Sequence, residues 1–375
     1  MGDQFLIRDV FSAQVVEKMA HDIEAVYPQF DKKGFLESLL SGLGDQTYSE
    51  RKEAITNALI RFLPTDYKKS VQLLLQVTPA PYEGDPTSDM VGRFYVSTFT
   101  AYISSQGMEY FEVSTQALYE MTKSFSSEWD IRPFLLEYPK KTLALLKKWA
   151  KDKNMHVRRL VSEGSRPNLP WGKKLKFVDQ DPKGTTLPLL NLLQDDKAEY
   201  VRRSVANHLN DLAKNNADLV VQVLTEWKEK NLTSDKERMI NHALRTLIKQ
   251  GHQGALALIG FGSDFQVDIS IQTLTERVKW GGLFEFDFTI SNKLPKEQKL
   301  LVDYIIGFQK KDGSINNKVF KLKKIVLPAN NSMSIQKSFS FKPISTRVYY
   351  PGAHHFQVQI NGKIVIKREF MLLKS

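Results

Sequence analysis

A loop-forming stretch of the sequence places an aromatic residue directly ahead of three basic ones. Gly164-Ser-Arg-Pro-Asn-Leu-Pro-Trp171 contains a glycine and two prolines, which end the preceding helix and stiffen the chain before the tryptophan. Lys173, Lys174 and Lys176 follow. An indole on a rigid loop can pack against a base or a sugar, and neighbouring lysines can bind phosphates. A tryptophan that only fills a gap between two helices would look the same, and the loop alone favours that interpretation.

A motif rich in charged residues occurs twice in the chain. His156-Val-Arg-Arg-Leu-Val-Ser-Glu163 is similar to Tyr200-Val-Arg-Arg-Ser-Val-Ala-Asn207, 44 residues later, and a fainter third copy begins at Asp235. Repeats of this length are typical of stacked helix pairs of the HEAT or armadillo kind, in which the second helix of each pair lines a concave surface. The repeat therefore predicts that both motifs lie on equivalent helices of a helical-repeat superhelix.

Charged and amide residues follow one face of each predicted helix at steps of four. The first copy places Arg159 and Glu163 on one face, and the second places Arg203, Asn207 and Asp211 on the matching face. Side-by-side stacking would put Arg159 beside Arg203. It would also put Glu163 beside Asn207, so that both helices contribute to one groove. Spacing alone favours a ladder of ion pairs that holds neighbouring repeats together, and an active groove is the alternative.

A third segment combines hydroxyl and acidic residues in Ser124-Phe-Ser-Ser-Glu128-Trp-Asp-Ile-Arg-Pro-Phe134. Ser126 or Ser127 could cap a helix that begins near Glu128, and carboxylates in a first turn interact favourably with the helix dipole. By itself, this pattern predicts a stabilising acidic first turn.

Positive charge is concentrated in two parts of the 375-residue chain, whose formal net charge is +11. Residues 140–180 hold 12 Lys or Arg against 3 Asp or Glu, and residues 262–375 hold 18 against 9. Such segregation is typical of a surface that meets a polyanion, although solvated lysine-rich faces would produce it too.

The composition excludes several kinds of chemistry. The chain has no cysteine, which rules out disulfides, thiol catalysis and nearly all zinc fingers. Its seven histidines form no HExxH pair, so we expect neither a metal nor a cofactor. The sequence shows no apolar run of membrane-spanning length and no secretory signal at its amino terminus. We therefore expect a cytoplasmic protein that does not contact a membrane.

The hydrophobic pattern changes near residue 261. Before it, apolar residues recur at three- and four-residue spacing, which predicts α-helices. The predicted helices are Phe11–Tyr27, Gly34–Leu43, Ser49–Leu63, Asp66–Val77, Met90–Ile103 and Tyr110–Lys123, with two more that start near Pro133 and Pro139. After it, apolar and polar residues alternate with a period of two, and the predicted strands include Val267–Leu274, Leu283–Ile290, Met333–Phe341 and His355–Ile360.

Turn signals such as Asn361-Gly362 separate these strands. Roughly seven short strands in this length are typical of an antiparallel sandwich of the immunoglobulin type. We therefore expect a mainly α protein, with a HEAT-like helical-repeat superhelix over residues 1–261. An all-β, immunoglobulin-like sandwich follows over residues 262–375.

Three segments taken together resemble a known family. FSSEWDIRPFL, HVRRLVSEGSRPNLPW and EYVRRSVANHLND are similar to hallmark segments of the AlkC branch of the AlkC/AlkD alkylpurine DNA glycosylase family. The similarity covers most of residues 1–260, and the β region resembles the immunoglobulin-like domain that some members carry. The resemblance implies a concave scaffold that wraps duplex DNA. It also implies hydrolysis of the N-glycosidic bond of N3-alkylated purines, chiefly 3-methyladenine.

The resemblance implies the site residues as well. Glu128, Glu163, Trp171 and Asp211 match positions where the family places its active site, and Arg159 matches the arginine one turn before the glutamate. Carboxylates there would stabilise a sugar that becomes oxocarbenium-like as a cationic base leaves. We expect Asp211 to serve the water and the sugar, and Trp171 to pack on the deoxyribose or the base. Glu128 and Glu163 would face the base and the sugar.

The expected partner is duplex DNA that contains alkylated bases, bound by a monomer that is nucleoid-associated if the source is bacterial. The β region would serve as an auxiliary DNA clamp. The expected DNA-binding residues are Arg158, Arg159, Arg166, Lys173, Lys174, Arg203 and Asn207. Two alternatives use the same helical repeats, a non-catalytic binder of damaged DNA and a protein-interaction scaffold. Three acids in a DNA groove argue against the binder, and a scaffold would show no salt-sensitive DNA affinity.

Overall fold

The structure is a computed structural model that describes residues 6–83 and 91–374. The chain packs as two compact units. The first consists of Met1–Asn216 with Asn231–Ala243, and the second of Ala217–Lys230 with Leu244–Ser375. Among the described residues, the first unit contains helices, whereas the second combines three helices with the eight strands.

The described residues contain sixteen α-helices, and none of these is long and apolar enough to cross a membrane. They are α1 (Ala13–Val26), α2 (Lys32–Leu40), α3 (Tyr48–Phe62), α4 (Tyr67–Gln76), α5 (Val96–Gln106), α6 (Phe111–Thr122), α7 (Arg132–Glu137), α8 (Pro139–Trp149), α9 (Met155–Gly164), α10 (Lys176–Gln180), α11 (Leu187–Leu193), α12 (Glu199–Leu212), α13 (Ala217–Lys230), α14 (Ser234–Ala243), α15 (Arg245–Gln250) and α16 (Gln253–Leu258).

Polar side chains cap the first turns of α3 and α9. Thr47 and Glu50 form a capping box at the start of α3, in which the Thr47 N–H donates to Glu50 Oε2 at 2.8 Å and the Glu50 N–H donates to Thr47 Oγ1 at 3.4 Å. Asn154 caps α9, because its side-chain oxygen accepts from the N–H of His156 at 2.8 Å. These caps satisfy N–H groups that have no partner inside the helix.

The apolar stripe of α9 forms part of the core of the first unit. Val157, Leu160 and Val161 are fully buried, and α9 packs against α12, whose Val201 and Val205 are fully buried too. Burial of each such side chain contributes about 1.5–3 kcal/mol, so this contact holds the two charged motifs in a fixed relation.

Eight strands in the described part of the chain form two sheets. The strands are β1 (Val267–Leu274), β2 (Arg277–Val278), β3 (Leu283–Asn292), β4 (Gln298–Gln309), β5 (Ile315–Leu327), β6 (Ser332–Ser340), β7 (Gly352–Ile360) and β8 (Lys363–Leu372). One sheet has the order β1-β3-β6, and the other has the order β2-β8-β7-β4-β5. Neighbouring strands run antiparallel, apart from the parallel pair β2 and β8.

The strand pattern in the sequence explains the core of the sandwich. Alternate residues of β3 point inward, and Phe284, Phe286 and Phe288 are buried there. Asn361 and Gly362 connect β7 to β8 with φ angles of 45° and 80°. Positive φ at both positions is what a two-residue hairpin turn of type I′ requires, so this turn signal sets the register of the hairpin.

These features confirm the predicted fold class, in which helices are followed by a β-sandwich. Strand β1 has the predicted bounds, and β2 is an additional short strand. One local prediction is wrong: residues 128–131 form a turn, and α7 begins at Arg132 instead of near Glu128. The HEAT-like arrangement of the helices and the division at residue 261 stay predictions.

Candidate active site

Two arginines join the three predicted acidic residues into one run of ion pairs. Arg159 Nη1 donates to Glu128 Oε2, and Arg159 Nη2 lies 3.6 Å from Glu163 Oε1. Arg166 Nη1 donates to the same oxygen of Glu163 at 2.5 Å, and Arg166 Nε donates to Asp211 Oδ2 at 2.9 Å. We name this run the acid–arginine chain, which consists of Glu128, Arg159, Glu163, Arg166 and Asp211.

Serine hydroxyl groups donate further hydrogen bonds to both glutamates of the acid–arginine chain. Ser126 Oγ donates to Glu128 Oε2 at 2.8 Å, and Ser204 Oγ donates to Glu163 Oε2 at 2.6 Å. The first pair lies in and just before the turn that leads to α7, whereas Ser204 lies on α12. The acid–arginine chain is therefore assembled by this turn, by α9 with the loop after it, and by α12.

The carboxylates of the acid–arginine chain are largely buried, with exposed fractions of 7% for Glu128, 5% for Glu163 and 3% for Asp211. Burial acts to raise the pKa of Glu163, but the charges of Arg159 and Arg166 outweigh it and hold that pKa below its ordinary value. Burial likewise opposes the charged form of Arg166, and its two acidic partners outweigh burial and raise its pKa. Lys214 Nζ, at 3.1 Å from Asp211 Oδ1, adds a third positive charge beside the three carboxylates and the two guanidinium groups.

A buried arginine fixes the loop between α9 and α10. Arg132 Nη1 donates to the carbonyl oxygens of Gly164 at 2.8 Å and Arg166 at 2.7 Å, and its Nε donates to that of Lys173 at 2.9 Å. Burial lowers the pKa of Arg132 to about 10. One side chain thus pins both ends of the loop, which keeps Arg166 in its place in the acid–arginine chain.

Trp171 lies in the same loop and is presented to solvent. Its side chain is 79% exposed, and its φ of 59° lies in the left-handed region that residues other than glycine rarely adopt. Trp129 Nε1 donates to the carbonyl oxygen of Pro170 at 3.1 Å, which braces the loop at this point. Trp171 also lines a cavity of about 410 Å³ together with Tyr48, Lys52 and Trp129. The structure therefore gathers the three acids in one cluster and places Trp171 at this cavity, joined to the cluster by the pinned loop.

Two family models match parts of this sequence. Residues 101–249 match a model described as "DNA alkylation repair enzyme", and residues 268–374 match one described as "Uncharacterised protein YhaZ, C-terminal Ig-like domain". The chain is 34% identical over 368 residues to "Uncharacterized protein YhaZ" of Bacillus subtilis (strain 168), a match that covers 98% of this chain and 99% of that protein.

A solved structure covers the whole length of this chain as well. It is the Pseudomonas fluorescens alkylpurine DNA glycosylase AlkC, bound to DNA that contains an abasic site analog. Its sequence is 35% identical, the TM-score is 0.88, and the match covers 99% of this chain and 100% of that one. The chain belongs to the AlkC branch of the DNA alkylation repair enzyme family.

In this AlkC-branch chain, the residues expected to bind DNA differ in their exposure. Lys173, Lys174 and Arg203 are exposed. Arg203 lines a cleft of about 210 Å³. Asn207 is half-buried, and its Oδ1 lies 2.9 Å from His242 Nε2. Lys173, Lys174 and Arg203 are therefore accessible to a ligand, in contrast to the buried residues of the acid–arginine chain.

Two other arginines that were expected to bind DNA are buried and direct their N–H groups inward. Arg158 Nε and Nη2 donate to the two carboxylate oxygens of Asp196, at 2.5 and 2.9 Å. Its Nη1 donates to the carbonyl oxygens of Asp152 and Lys153. Arg166 is engaged in the same way, with Nη1 on a glutamate and Nε on an aspartate. In this structure protein carboxylates occupy the places that phosphates were expected to fill on these two arginines, and their contact with DNA stays a prediction.

The expected pairing of side chains across the two repeats is wrong by one helical turn. The Arg159 guanidinium lies over the Tyr200 ring at 5.1 Å, and Glu163 accepts from Ser204. The repeat predicts Arg203 and Asn207 as the neighbours of these two side chains, and both lie three residues further along α12. A sequence repeat predicts where a residue lies within its own helix. The angle and offset at which two helices cross decide which of their side chains are in contact.

Sequence reasoning missed Arg132 and the α3 residues Tyr48 and Lys52. Arg132 stands before a proline at a helix start, and nothing in its neighbours distinguishes a buried arginine from an exposed one. Tyr48 and Lys52 are four residues apart, which is a signal of a shared helix face. Their meeting with Trp171 depends on a contact between segments far apart in the chain, for which the sequence carries no local signal.

Proposed function

We propose that this chain is a DNA glycosylase that hydrolyses the N-glycosidic bond of N3-alkylated, cationic purines such as 3-methyladenine, in base excision repair. The observation that carries the proposal is the acid–arginine chain, which gathers three carboxylates next to a loop that presents Trp171. The match to AlkC supports it, because that protein is described as an alkylpurine DNA glycosylase and is 35% identical over nearly the whole chain.

The chemistry follows from the charge of the lesion. A purine alkylated at N3 is already cationic, so it can leave without a general acid to protonate it. Cleavage of the bond between C1′ and N9 sends the electron pair to the base, which becomes neutral, and the positive charge develops on the sugar. Water then bonds to C1′ and gives up a proton. Preorganised negative charge stabilises such a sugar, most strongly where water is excluded.

Asp211 is the carboxylate that we assign to the sugar and the attacking water. Its Oδ2 is held by Arg166, at 2.8 Å from Nη2, whereas its Oδ1 contacts Lys214 Nζ at 3.1 Å. Lys214 is half-exposed, and a nearby DNA phosphate can attract its ammonium group. Its departure would leave Oδ1 available to the sugar or to a water molecule. Glu128 and Glu163 add to the negative electrostatic potential around Asp211.

The arginines of the acid–arginine chain act as positioning residues in this proposal. Arg159 holds two glutamates, and Arg166 holds Glu163 and Asp211. Arg158 ties the start of α9 to Asp196 and likewise serves the structure. DNA contact falls instead to the exposed Lys173, Lys174 and Arg203, with Trp171 packed on the deoxyribose.

The two regions of the chain would divide the work. Residues 1–261 carry the acid–arginine chain and would form the glycosylase domain. Residues 262–375, with 18 Lys or Arg against 9 Asp or Glu, would act as an auxiliary clamp on the DNA backbone. The proposal requires one copy of the chain and neither a metal nor a cofactor.

The proposal is tested by incubating the full chain with duplex DNA that carries 3-methyladenine and measuring the free base released. The wild type releases 3-methyladenine, and Glu128→Gln releases it at least about tenfold more slowly, since one stabilising charge is lost. Glu37→Gln is the matched control, because Glu37 is an exposed acid on α2 that lies 3.8 Å from the ammonium group of Lys33. Salt-sensitive DNA binding without any release of base would favour the non-catalytic binder and overturn the proposal.

A further inference from the structure

The cations that contact the three predicted carboxylates differ in how firmly they are held. The side chain of Lys214 is 47% exposed, against 16% for Arg159 and 9% for Arg166. Each of these two arginines contacts two carboxylates, whereas Lys214 reaches back from the end of α12 to Asp211. Its ammonium group stands at the end of a flexible four-carbon stem. Lys214 is therefore the cation that can leave the site most readily.

The contact between Lys214 and Asp211 opposes the proposed reaction. The ammonium group lies 3.1 Å from Asp211 Oδ1, which is the oxygen that we assign to the sugar or the attacking water. A cation at this oxygen offsets the negative charge that would stabilise an oxocarbenium-like sugar, and it also repels that sugar. The reaction therefore requires the ammonium group to move to another partner. A DNA phosphate can attract it, and a carboxylate of the protein would hold it at a fixed place.

A fourth acidic residue, Asp179 on α10, lies near this pair. Burial raises the pKa of Asp179, and a hydrogen bond from Asn215 acts in the opposite direction. The charge of Asp211 raises this pKa further, whereas the charges of Lys214 and Lys174 lower it. Charges in salt solution are screened beyond about 10 Å, so Asp179 lies within that range of Lys214 and Asp211. A further carboxylate is thus close to the mobile ammonium group.

The hydrogen bonds of Asp179 leave one of its carboxylate oxygens without a donor. Asn215 Nδ2 donates to Asp179 Oδ2 at 3.1 Å, and Asn216 Nδ2 donates to the carbonyl oxygen of Asp179 at 3.0 Å. These bonds tie α10 to the segment that carries Lys214. Asp179 Oδ1 is buried and accepts no hydrogen bond from the residues that the structure describes. A buried oxygen of this kind costs free energy, and an ammonium group would supply the missing donor.

We propose that Asp179 is a positioning residue of the glycosylase, which receives the ammonium group of Lys214 when damaged DNA binds and so frees Asp211 Oδ1. This inference rests on the proposed glycosylase function and adds a residue to its site. The cationic nucleotide takes the place of the ammonium group beside Asp211, so one positive charge replaces another. The exchange favours lesions that carry positive charge, because a neutral nucleotide would leave Asp211 without a cation in return.

The test measures single-turnover release of 3-methyladenine from duplex DNA by the full chain, with enzyme in excess. Asp179→Asn keeps an oxygen for Asn215 but loses the negative charge that attracts Lys214. The rate falls at least about fivefold below that of the wild type, while DNA affinity and the melting temperature are preserved. Lys214→Met has no ammonium group to move, so its rate is at least that of the wild type. In this background, Asp179→Asn changes the rate by less than about twofold.

Two control variants separate this role from a structural one. Asn215→Ala removes the hydrogen bond to Asp179 Oδ2 but keeps the charge of Asp179, so release changes by less than about twofold. Lys33→Met alters an exposed lysine on α2, and in this background Asp179→Asn has the same effect as in the wild type.

Three results would refute the inference and leave the glycosylase function intact, provided that the wild type releases base. The first is loss of release in Lys214→Met, which would show that Lys214 supports Asp211. The second is an equal effect of Asp179→Asn in the presence and in the absence of Lys214. The third is a loss in Asn215→Ala as large as that in Asp179→Asn. Failure of the wild type to release any base refutes the glycosylase function itself.

Discussion

Arg166 Nε donates to Asp211 Oδ2 at 2.9 Å, and Arg166 Nη2 lies 2.8 Å from the same oxygen. This pair ties the loop after α9 to the end of α12, two segments 45 residues apart in the sequence. Because the guanidinium also reaches Glu163, its position sets the distance between two of the three carboxylates. The geometry of the candidate site therefore depends on an arginine that is itself buried.

Arg166→Lys is expected to reduce catalysis while leaving DNA affinity unchanged. A lysine keeps the charge but cannot hold Glu163 and Asp211 together with a planar fork, so both carboxylates lose their orientation. Loss of a buried partner also destabilises the fold by about 3–5 kcal/mol at most. Excision kinetics at several DNA concentrations check this: kcat falls at least about tenfold and KM stays constant. A raised KM with unchanged kcat would show that Arg166 binds DNA instead.

Arg132→Ala is expected to lower the free energy of unfolding by at least about 3 kcal/mol, because three carbonyl oxygens lose a charged donor inside the protein. The loop with Trp171 would lose both of its anchors. Chemical denaturation measures the loss, and Arg61→Ala, an exposed arginine on α3, is expected to change stability by less than about 0.5 kcal/mol. Equal stability of the two variants would contradict the role of Arg132.

The carboxyl group of Asp303 in β4 makes the stability of the β-sandwich depend on pH. Burial raises the pKa of this carboxyl from 3.8 to about 6, in spite of Lys321 nearby. Folding therefore takes up a proton between these values, and the wild type loses stability as pH rises from about 4 to about 6. Asp303→Asn removes the ionisable group. The free energy of unfolding of the variant therefore exceeds that of the wild type by an amount that grows through this pH range to the order of 2 kcal/mol and then stays constant. Thermal unfolding at pH 4 and pH 7.5 checks this, and an equal difference at both values would contradict it.

The paired substitution Lys173→Ala with Lys174→Ala is expected to weaken DNA binding without an effect on folding, since both side chains are exposed. Each lost phosphate contact lowers the slope of log affinity against log salt by about 1. Titrations of duplex DNA at several salt concentrations measure that slope. Lys33→Ala, which alters an 87% exposed lysine on α2, leaves it unchanged. A slope that stays the same in the double variant would remove these lysines from the DNA interface.

Local patterns predicted much of the fold. Strand β1 has the predicted bounds Val267–Leu274, and α8 begins at Pro139 as the proline indicates. The turn at Asn361-Gly362 needs positive φ at both residues, which these two residue types favour. Such features depend on neighbours in the sequence. The structure brings together the three acids that the resemblance to the AlkC family implies, and their catalytic role stays a prediction.

Contacts between distant segments could not be derived in the same way. Asp196 neutralises Arg158 from 38 residues away, and no feature of the repeated motif distinguishes this arginine from the next. Ser204 takes the place that the repeat assigns to Asn207, because helix crossing decides which residues meet. The cavity beside Trp171 likewise depends on α3, whose sequence indicated only an amphipathic helix.

The account depends most directly on the charge of Asp211, and Asp211→Asn tests it. Single-turnover release of 3-methyladenine from duplex DNA is measured with enzyme in excess, alongside DNA affinity and thermal stability for the same variant. Asparagine keeps the shape and removes the negative charge, so the account predicts a rate at least about 100-fold below that of the wild type, with DNA affinity preserved. A variant that folds, binds DNA and releases base at the wild-type rate would contradict the account.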